Sequence, residues 1–421
     1  MLYKEYINCR RQYQEIGRDL LLSKKHACLY FEPGKGKTYP AIDAMREVDK
    51  AKNGKAKVLI ISTCDAIRKM WQVDIVPQHI LPKDTFLVTD RTAIGDISET
   101  LLSTKWDIIL VDECHILKSH STKIHKLVYK LCRNVEYAWG LSGTPRGNRD
   151  IDIWCQFHAL HIAGNGKMSY TSWTKIHCDF ETGYGKFGQF QTPTGIKEKY
   201  KAMWNEMLEE NCLFVDYDED DDMPDLEVNV LDIPYEQTET YKQAYQGIID
   251  VGEFATTTTK LVAITKAHQV CNGYVYLPEN VIYRLHRNKK LDILNDMAIN
   301  EKCVIVYKYK ADYDDLVSHF GNKATNDVDK FKTGKYAVLL LQCGMCQSFN
   351  LQEYCKLIIF YTLDYSFIKY KQMIHRLWRL GQKSKTRVVI MRHKDTVEKQ
   401  IWQAVTTKQK IHDLYMSIKR S

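Results

Sequence analysis

The chain has 421 residues, of which 44% are hydrophobic and 27% charged, with a formal net charge of +8. That length exceeds what one hydrophobic core normally supports, so two domains are expected, and the composition excludes a disordered or fibrous chain. No apolar run approaches the roughly 18 residues of a membrane span, and MLYKEYINCRRQYQ has no signal-peptide core, so an intracellular protein with no membrane partner is expected. The modest positive charge permits a nucleic-acid groove without demanding one. The 13 cysteines show no framework spacing, which points to reduced thiols, and the lone CxxC, Cys343 and Cys346, lacks a second ligand pair for zinc.

The first chemical signal lies between the strand-like ACLYF (27–31) and the helix-like YPAIDAM (39–45). Gly34, Lys35, Gly36, Lys37 and Thr38 form a glycine-rich loop in a strand–loop–helix setting. Glycines let backbone N–H groups wrap phosphates, and the following helix N-terminus adds positive partial charge. Lys37 can reach β- and γ-phosphates, and Thr38 can coordinate Mg²⁺. Phe31 stands where the strict GxxxxGK[ST] pattern has its first glycine.

KVLIIS (57–62) and WDIILV (106–111) read as buried strands, each followed by a polar turn and a helix-like stretch. Asp112 and Glu113 end the second of these strands, where ligand sites fall in open α/β sheets. Adjacent carboxylates there are costly unless a cation or proton resolves them. Asp112 is expected to hold Mg²⁺, and Glu113 to orient or deprotonate water. His115 can hydrogen-bond to the LSGTP segment (141–145), whose Ser142 and Thr144 hydroxyls are candidate coupling groups; a turn with no chemistry would look similar.

Residues 151 to about 212 are aromatic-rich and helix-like, interrupted by a predicted loop, GYGKFGQFQTPTG (183–195). The acidic run 216–225 reads as a solvated linker. LEVNVLDIPY (226–235) restarts strand character, and a helix-like stretch covers 236 to about 268. Strand-like runs then recur at 302–309, 337–342, 356–363 and 386–392. These two blocks predict an α/β fold of two doubly wound parallel-sheet lobes. Near the end, QMIHRLWRLGQ (372–382) places Arg376 and Arg379 three residues apart, on one face if the segment is helical. An arginine can stabilise charge in phosphoryl transfer. Val397, Ile401, Val405, Ile411, Leu414 and Ile418 follow helical spacing, which predicts a helix packed on the second lobe.

Together these segments resemble the superfamily-two helicases, and within them the Swi/Snf-like DNA translocases, from Arg11 to about Lys399. Arg11-Gln12-Tyr13-Gln14 is similar to the family's R-x-Y-Q, which makes Gln14 the adenine contact. Asp112-Glu113-Cys114-His115 with Lys118 resembles DE-x-H-x-x-K, and Ser142 to Pro145 resembles motif III. Gln372, Arg376, Arg379, Gly381 and Gln382 match Q-x-x-x-R-x-x-R-x-G-Q, the most discriminating motif of the set. The chain departs from the family at Phe214-Val215-Asp216-Tyr217, at motif V, where Gly344 and Asn350-Leu351 are kept, and at Tyr365-Ser366 after Asp364.

The resemblance implies two RecA-like lobes with short helical protrusions. Lobe one is expected over 1–215, with a protrusion from about 151. A linker follows at 216–225, and lobe two covers 226–421, with a protrusion to about 290. The implied activity is that of an ATP-dependent translocase or remodeller on duplex DNA, using ATP and Mg²⁺. Catalytic roles fall to Lys37, Glu113, Arg376 and Arg379, nucleotide binding to Gln14, Gly34, Gly36, Lys37, Thr38 and Asp112, and coupling to His115, Ser142, Thr144 and Gln372. Candidate DNA contacts are Ser62, Thr63, Lys118, Lys308, Gln347 and Asn350, groups suited to a sequence-independent grip on phosphates. The alternatives are a strand-separating DNA or RNA helicase, and a nucleotide-binding scaffold without turnover. The 183–195 segment resembles the annealing-helicase branch, and the compact length is similar to phage- or virus-encoded members.

Overall fold

The structure is a computed structural model that describes residues 3–62, 70–95, 97–145, 149–185, 188–217, 223–252, 254–257, 260–298, 301–344, 351–379 and 382–417. The chain divides into two compact units. The first is dominated by Met1–Asp218 and the second by Glu219–Met345 and Phe349–Ile411, so the division falls inside the acidic run. Each unit is built on a six-stranded parallel sheet.

In the first unit the strands are β1 (His26–Phe31), β2 (Lys57–Ser62), β3 (Asp84–Thr89), β4 (Ile108–Asp112), β5 (Tyr137–Ser142) and β8 (Cys212–Val215), in the order β3-β2-β4-β5-β1-β8. Alternate residues of each strand feed two separate cores. Cys28, Tyr30, Leu59, Ile61, Ile109 and Val111 point to one face, and Leu29, Phe31, Val58, Ile60, Ile108 and Leu110 to the other. Burial on both faces explains why these strands read as unbroken apolar runs instead of alternating ones.

Helix α1 (Tyr3–Asn8) and helix α2 (Gln12–Lys24) precede β1, and α3 (Thr38–Ala51) follows it. Asp43 of α3 is buried and receives hydrogen bonds from the hydroxyls of Tyr3 and Tyr6, with the Arg10 guanidinium at 2.9 Å. Tyr6 stacks on Tyr39 at 4.4 Å between ring centroids. The amino-terminal segment is thereby fastened to the helix that follows the glycine-rich loop.

The stretch after β5 differs from expectation in two places. Helices Ile151–Ala159, Tyr170–His177 and Lys201–Asn211 do form, but 183–185 and 188–195 are strand instead of loop. Strands β6 (Cys178–Gly185) and β7 (Gly188–Ile196) pair as an antiparallel ribbon with a register shift at Asp179/Phe180. The glycines, and Pro193 inside β7, hid the strand pattern; a two-stranded ribbon tolerates a proline that a central strand would not. The second departure is β8, which returns to the sheet as an edge strand beside β1.

In the second unit, β9 (Leu226–Ile233), β14 (Cys303–Tyr307), β15 (Ala324–Thr325), β16 (Val338–Gln342), β17 (Leu357–Phe360) and β18 (Thr386–His393) form the sheet, in the order β15-β16-β14-β17-β18-β9. The stretch expected to be helical over 236–268 is broken. Helix Glu239–Gln246 ends at Gly247, whose φ of 91° is left-handed, and the hairpin of β10 (Ile248–Val251) and β11 (Phe254–Thr257) precedes helix Lys260–Cys271. Strands β12 (Tyr274–Tyr276) and β13 (Ile282–Arg284) make a further small ribbon. The carboxyl-terminal helix, Val397–Ser417, buries Val397, Ile401 and Val405 against this unit, as expected for those three; the Ile411 and Leu414 side chains and Ile418 lie outside the described residues.

One buried ion cluster ties the second unit together. Lys290 has no exposed surface, and its ammonium lies 2.5 Å from Glu398 Oε1 and 2.9 Å from the Tyr361 carbonyl. His268 and His393 flank the same carboxylate at 3.3 and 3.2 Å. Burial alone would raise the Glu398 pKa, but Lys290 and the histidines outweigh it and hold the group well below the usual carboxylate range. Cys271, His393 and Glu398 bring donor atoms within 4.8 Å of one another, yet Lys290 already supplies the positive charge that a metal would bring. Every cysteine among the described residues is free. No helix among them is long and apolar enough to cross a membrane.

Lys290→Ala should lower unfolding free energy by about 3–5 kcal/mol in urea, because it leaves a buried carboxylate without its ammonium. A loss below about 1 kcal/mol would show that the histidines compensate. In the first unit, His125 and His158 stack at 5.2 Å, and burial pushes both imidazoles down to about 4, each with a neighbouring histidine adding to the shift. Their folded pKa lies below the ordinary 6.5, so the unfolded chain takes up protons first. Stability should be intact above pH 6.5 and fall between 6.5 and 4, and His158→Phe should flatten that slope in melts across the range.

Candidate nucleotide site

The carboxyl ends of β1, β4 and β5 share one edge of the first sheet, and β5 lies between the other two. Every functional side chain expected in this unit, apart from the DNA contacts, is carried by a segment leaving that edge or packed beside it.

From β1 the chain enters the loop 32–37. The Glu32 N–H donates to the Val215 carbonyl at 2.8 Å, so β8 anchors the start of the loop. Gly34 and Gly36 have φ of 95° and 73°, which only glycine adopts without strain. At Gly36 a Cβ would also stand 2.8 Å from Gln14 Nε2. Lys35 is buried, with its ammonium 5.4 Å from the Tyr13 ring and 5.9 Å from the Tyr217 ring. Its carbonyl accepts from Gln14 Nε2 at 3.2 Å and from the Tyr13 hydroxyl at 3.1 Å. Gln14 Oε1 accepts from the Arg11 N–H at 3.0 Å. The amide of Gln14 thus braces the loop and keeps one N–H and one lone pair in reserve. Lys37 occupies the N-cap position of α3, and Thr38 is the first helical residue.

From β4 come Asp112 and Glu113. Asp112 is buried and accepts from the indole N–H of Trp71 at 3.0 Å and from the Glu113 N–H at 3.1 Å. Glu113 adopts φ 56° and ψ 52°, a left-handed conformation that glutamate holds only where its surroundings impose it. Its carboxylate meets Lys37 Nζ at 3.1 Å, His115 Nδ1 at 3.1 Å and the Ser142 hydroxyl at 3.4 Å. Ser142 ends β5, lies 3.2 Å from His115 Nδ1 and accepts from the Thr144 N–H at 3.1 Å. The Thr144 hydroxyl is buried without a hydrogen-bond partner among the described residues. At Gly143 a Cβ would crowd Pro33 at 3.1 Å and the Phe31 carbonyl at 3.2 Å, so this turn packs directly on the start of the glycine loop.

The charges are mutually dependent. Burial would lower the Lys37 pKa, but Glu113 and Asp112 outweigh it and raise it. Burial would raise that of Glu113, but Lys37 and His115 drive it far below the ordinary range. Asp112 is raised, by burial first and by Glu113, against the pull of Lys37. Two carboxyl groups share one ammonium in a desolvated place, and carboxylate and hydroxyl oxygens are the donors a hard divalent cation takes. Trp71 went unnoticed in the sequence because nothing in its neighbourhood marks it as a carboxylate partner.

The remaining expected residues are scattered. Ser62 is fully buried at the end of β2, so its hydroxyl offers no surface contact to a phosphate in this conformation. Lys118 is exposed after the strand-end turn. Thr63, Gln347, Asn350, Cys346 and Gly381 lie outside the described residues.

In the second unit Lys308 is half-buried, which lowers its pKa despite the nearby Asp364 carboxylate, and its ammonium sits 5.1 Å from the Tyr309 ring. Gln372 lies on helix Phe367–Ile374, but Arg376 and Arg379 do not. The helix ends before them, correcting the expectation of a shared helical face. The Arg376 carbonyl is taken by the Leu351 N–H at 2.9 Å, and the chain leaves through tight turns in which Arg376 and Leu377 donate to residues three back. Gln382 donates to the Cys355 carbonyl at 3.2 Å and accepts from the Ser384 N–H at 3.1 Å, a structural use of its amide.

Comparison with known proteins supports the sequence resemblance. Residues 73–277 match a family model described as the SNF2-related domain. An uncharacterised ATP-dependent helicase of Bacillus subtilis, YqhH, is 21% identical over 92% of this chain and 75% of its own length. A Drosophila melanogaster protein named as a SWI/SNF-related, matrix-associated, actin-dependent regulator of chromatin, subfamily A-like protein 1, is 24% identical over 90% of this chain and 52% of its own. The chain therefore spans three quarters of one relative and about half of the other. Among solved structures, the Sulfolobus solfataricus SWI2/SNF2 ATPase core in complex with double-stranded DNA aligns over 97% of this chain and 93% of its own at 18% identity, with a TM-score of 0.42, too low to carry weight.

Gly36→Ala should destabilise the protein by about 1–3 kcal/mol, through left-handed strain and the clash with Gln14, and denaturant melts would read this directly. Gly54→Ala, also at positive φ but with open space around its Cβ, should cost less; equal losses would place the whole effect in backbone strain. Residues 73–277 thus match the SNF2-related domain, and the chain is similar to ATP-dependent and SWI/SNF-related helicases.

Proposed function

We propose that this chain is an ATP-dependent translocase on double-stranded DNA. The single observation that supports the ATPase reading best is the meeting of Lys37, Glu113, His115 and Ser142 within 3.4 Å over the end of β5. Lys37 rests on Glu113 and is placed to exchange that carboxylate for a phosphate at the loop. Once Lys37 turns to phosphate, Glu113 keeps His115 and Ser142 as partners and is free to orient water. Thr38 and Asp112 are the residues that would hold Mg²⁺, which when bound neutralises charge on the phosphates. The pair of carboxyl groups beside a single ammonium fits that ion. Gln14, held against the loop by Lys35, presents its remaining N–H and lone pair to the adenine edge.

Arg376 and Arg379 are assigned to charge stabilisation on the transferring phosphoryl group from their motif. The duplex substrate rests on the Gly-Gln ending of that motif and on the SNF2-related domain. Lys118 and Lys308 are the described candidates for gripping DNA phosphates.

The test is steady-state ATP turnover without nucleic acid and with single-stranded DNA, duplex DNA, forked DNA or RNA. Strong stimulation by plain duplex is expected, weakening as salt rises. Lys37→Ala and Arg379→Ala should each cut stimulated turnover by about 10³-fold or more while DNA binding persists. Retained turnover in both variants would sink the assignment, and stimulation by RNA or single strands alone would overturn the substrate.

A further inference from the structure

Beneath the site, three of its segments converge on one buried amide. Gln156 lies on helix Ile151–Ala159 with no exposed surface. Its Oε1 accepts from the Cys114 thiol at 3.1 Å and from the Tyr30 hydroxyl at 3.2 Å. Its Nε2 donates to the Pro145 carbonyl at 2.6 Å and to the Asp152 carbonyl at 3.0 Å. A primary amide has two N–H donors and one oxygen with two lone pairs, so all four positions are filled. Only the bond to Asp152 is local, within the same helix turn.

The other three partners belong to the nucleotide site. Tyr30 is on β1, two residues before the loop begins at Glu32. Cys114 follows Glu113 directly. Pro145 closes the turn that carries Ser142 and Thr144. The space between these segments is tight, since a Cβ at Gly140 would stand 2.8 Å from Cys28 Sγ and 3.0 Å from Cys114 Sγ. With so little slack, a shift of the Pro145 turn is passed through the amide to the Cys114 end of the carboxylate segment.

We propose that Gln156 is a positioning residue for hydrolysis, holding the Ser142–Pro145 turn and the Asp112–His115 segment in fixed register. The inference rests on the ATPase reading above and adds to it a residue outside the loop, the carboxylate pair and the arginines. Gln156 touches no substrate. Its loss should therefore slow turnover while leaving nucleotide affinity nearly unchanged, because the glycine loop and Gln14 keep their own supports.

The test is Gln156→Leu, which keeps the volume and removes all four hydrogen bonds, assayed for ATP turnover without nucleic acid. The expected result is a fall in kcat of about tenfold or more, with KM and the affinity for a fluorescent ADP analogue within about threefold of wild type. Trp204→Phe, a change in the same core but away from the site, serves as the control and should lower the melting temperature without lowering kcat. A Gln156→Leu protein that melts lower but turns over at the wild-type rate would overturn the proposal. Should that variant fail to fold, Tyr30→Phe removes a single bond to the same amide. A several-fold lower kcat at constant KM would support the role, and an unchanged kcat would overturn it. Wild-type stimulation by duplex DNA is measured in parallel. Its absence would refute the DNA reading and leave the Gln156 comparison standing, whereas a wild type without any ATP turnover would overturn both.

Discussion

Lys37 and Glu113 leave strands that are not neighbours, because β5 runs between β1 and β4 and the ion pair closes over its end. At 3.1 Å and an effective dielectric of about 20 the gross attraction is about 5 kcal/mol, from which desolvation of both groups subtracts. The pair therefore does less for stability than for placement. It draws the glycine loop and the carboxylate strand toward each other across a third strand. It also raises the Lys37 pKa and lowers that of Glu113, where burial alone would push each toward its neutral form.

The middle strand has to allow this. β5 places Gly140 between the Cys28 and Cys114 thiols, ends in Ser142 under the ion pair, and turns at Gly143 against Pro33. Small residues at 140 and 143 let three segments approach to hydrogen-bonding distance, and Ser142 supplies the hydroxyl between them. Outside this triad the supports are local. β8 holds the start of the loop, Gln14 and Tyr13 hold the Lys35 carbonyl, and Asp43 ties the amino-terminal helix to α3. The glycine loop can be permissive in conformation because its surroundings are not.

The second unit follows another logic. Its helix Lys260–Cys271, the segment at Lys290, the end of β17 and the carboxyl-terminal helix converge on Glu398. A buried carboxylate with an ammonium and two histidines is a demanding arrangement. It fixes a register between distant parts of the chain that apolar contacts alone would leave degenerate. The arginine segment then leaves its helix early, because the Arg376 carbonyl is committed to Leu351.

The two parallel sheets and the identity of the loop and carboxylate segments were legible in the sequence. Doubly buried strands are written as short apolar runs, and phosphate and cation chemistry requires glycine, lysine and acid at fixed spacings within one segment. Lys37, Asp112, Glu113, His115 and Ser142 are visible for that reason. The ribbon at 178–196, the hairpin at 248–257 and the end of the helix before Arg376 were not, because glycine and proline obscure strand alternation and a carbonyl's distant partner leaves no local mark. Trp71 and Gln156 were equally hidden, since each acts on a segment far away in the chain. Local spacing marked which residues are candidates for the chemistry. Only the tertiary structure decided which of them meet, because β5 had to be threaded between β1 and β4 before a lysine and a glutamate 76 positions apart could share a charge.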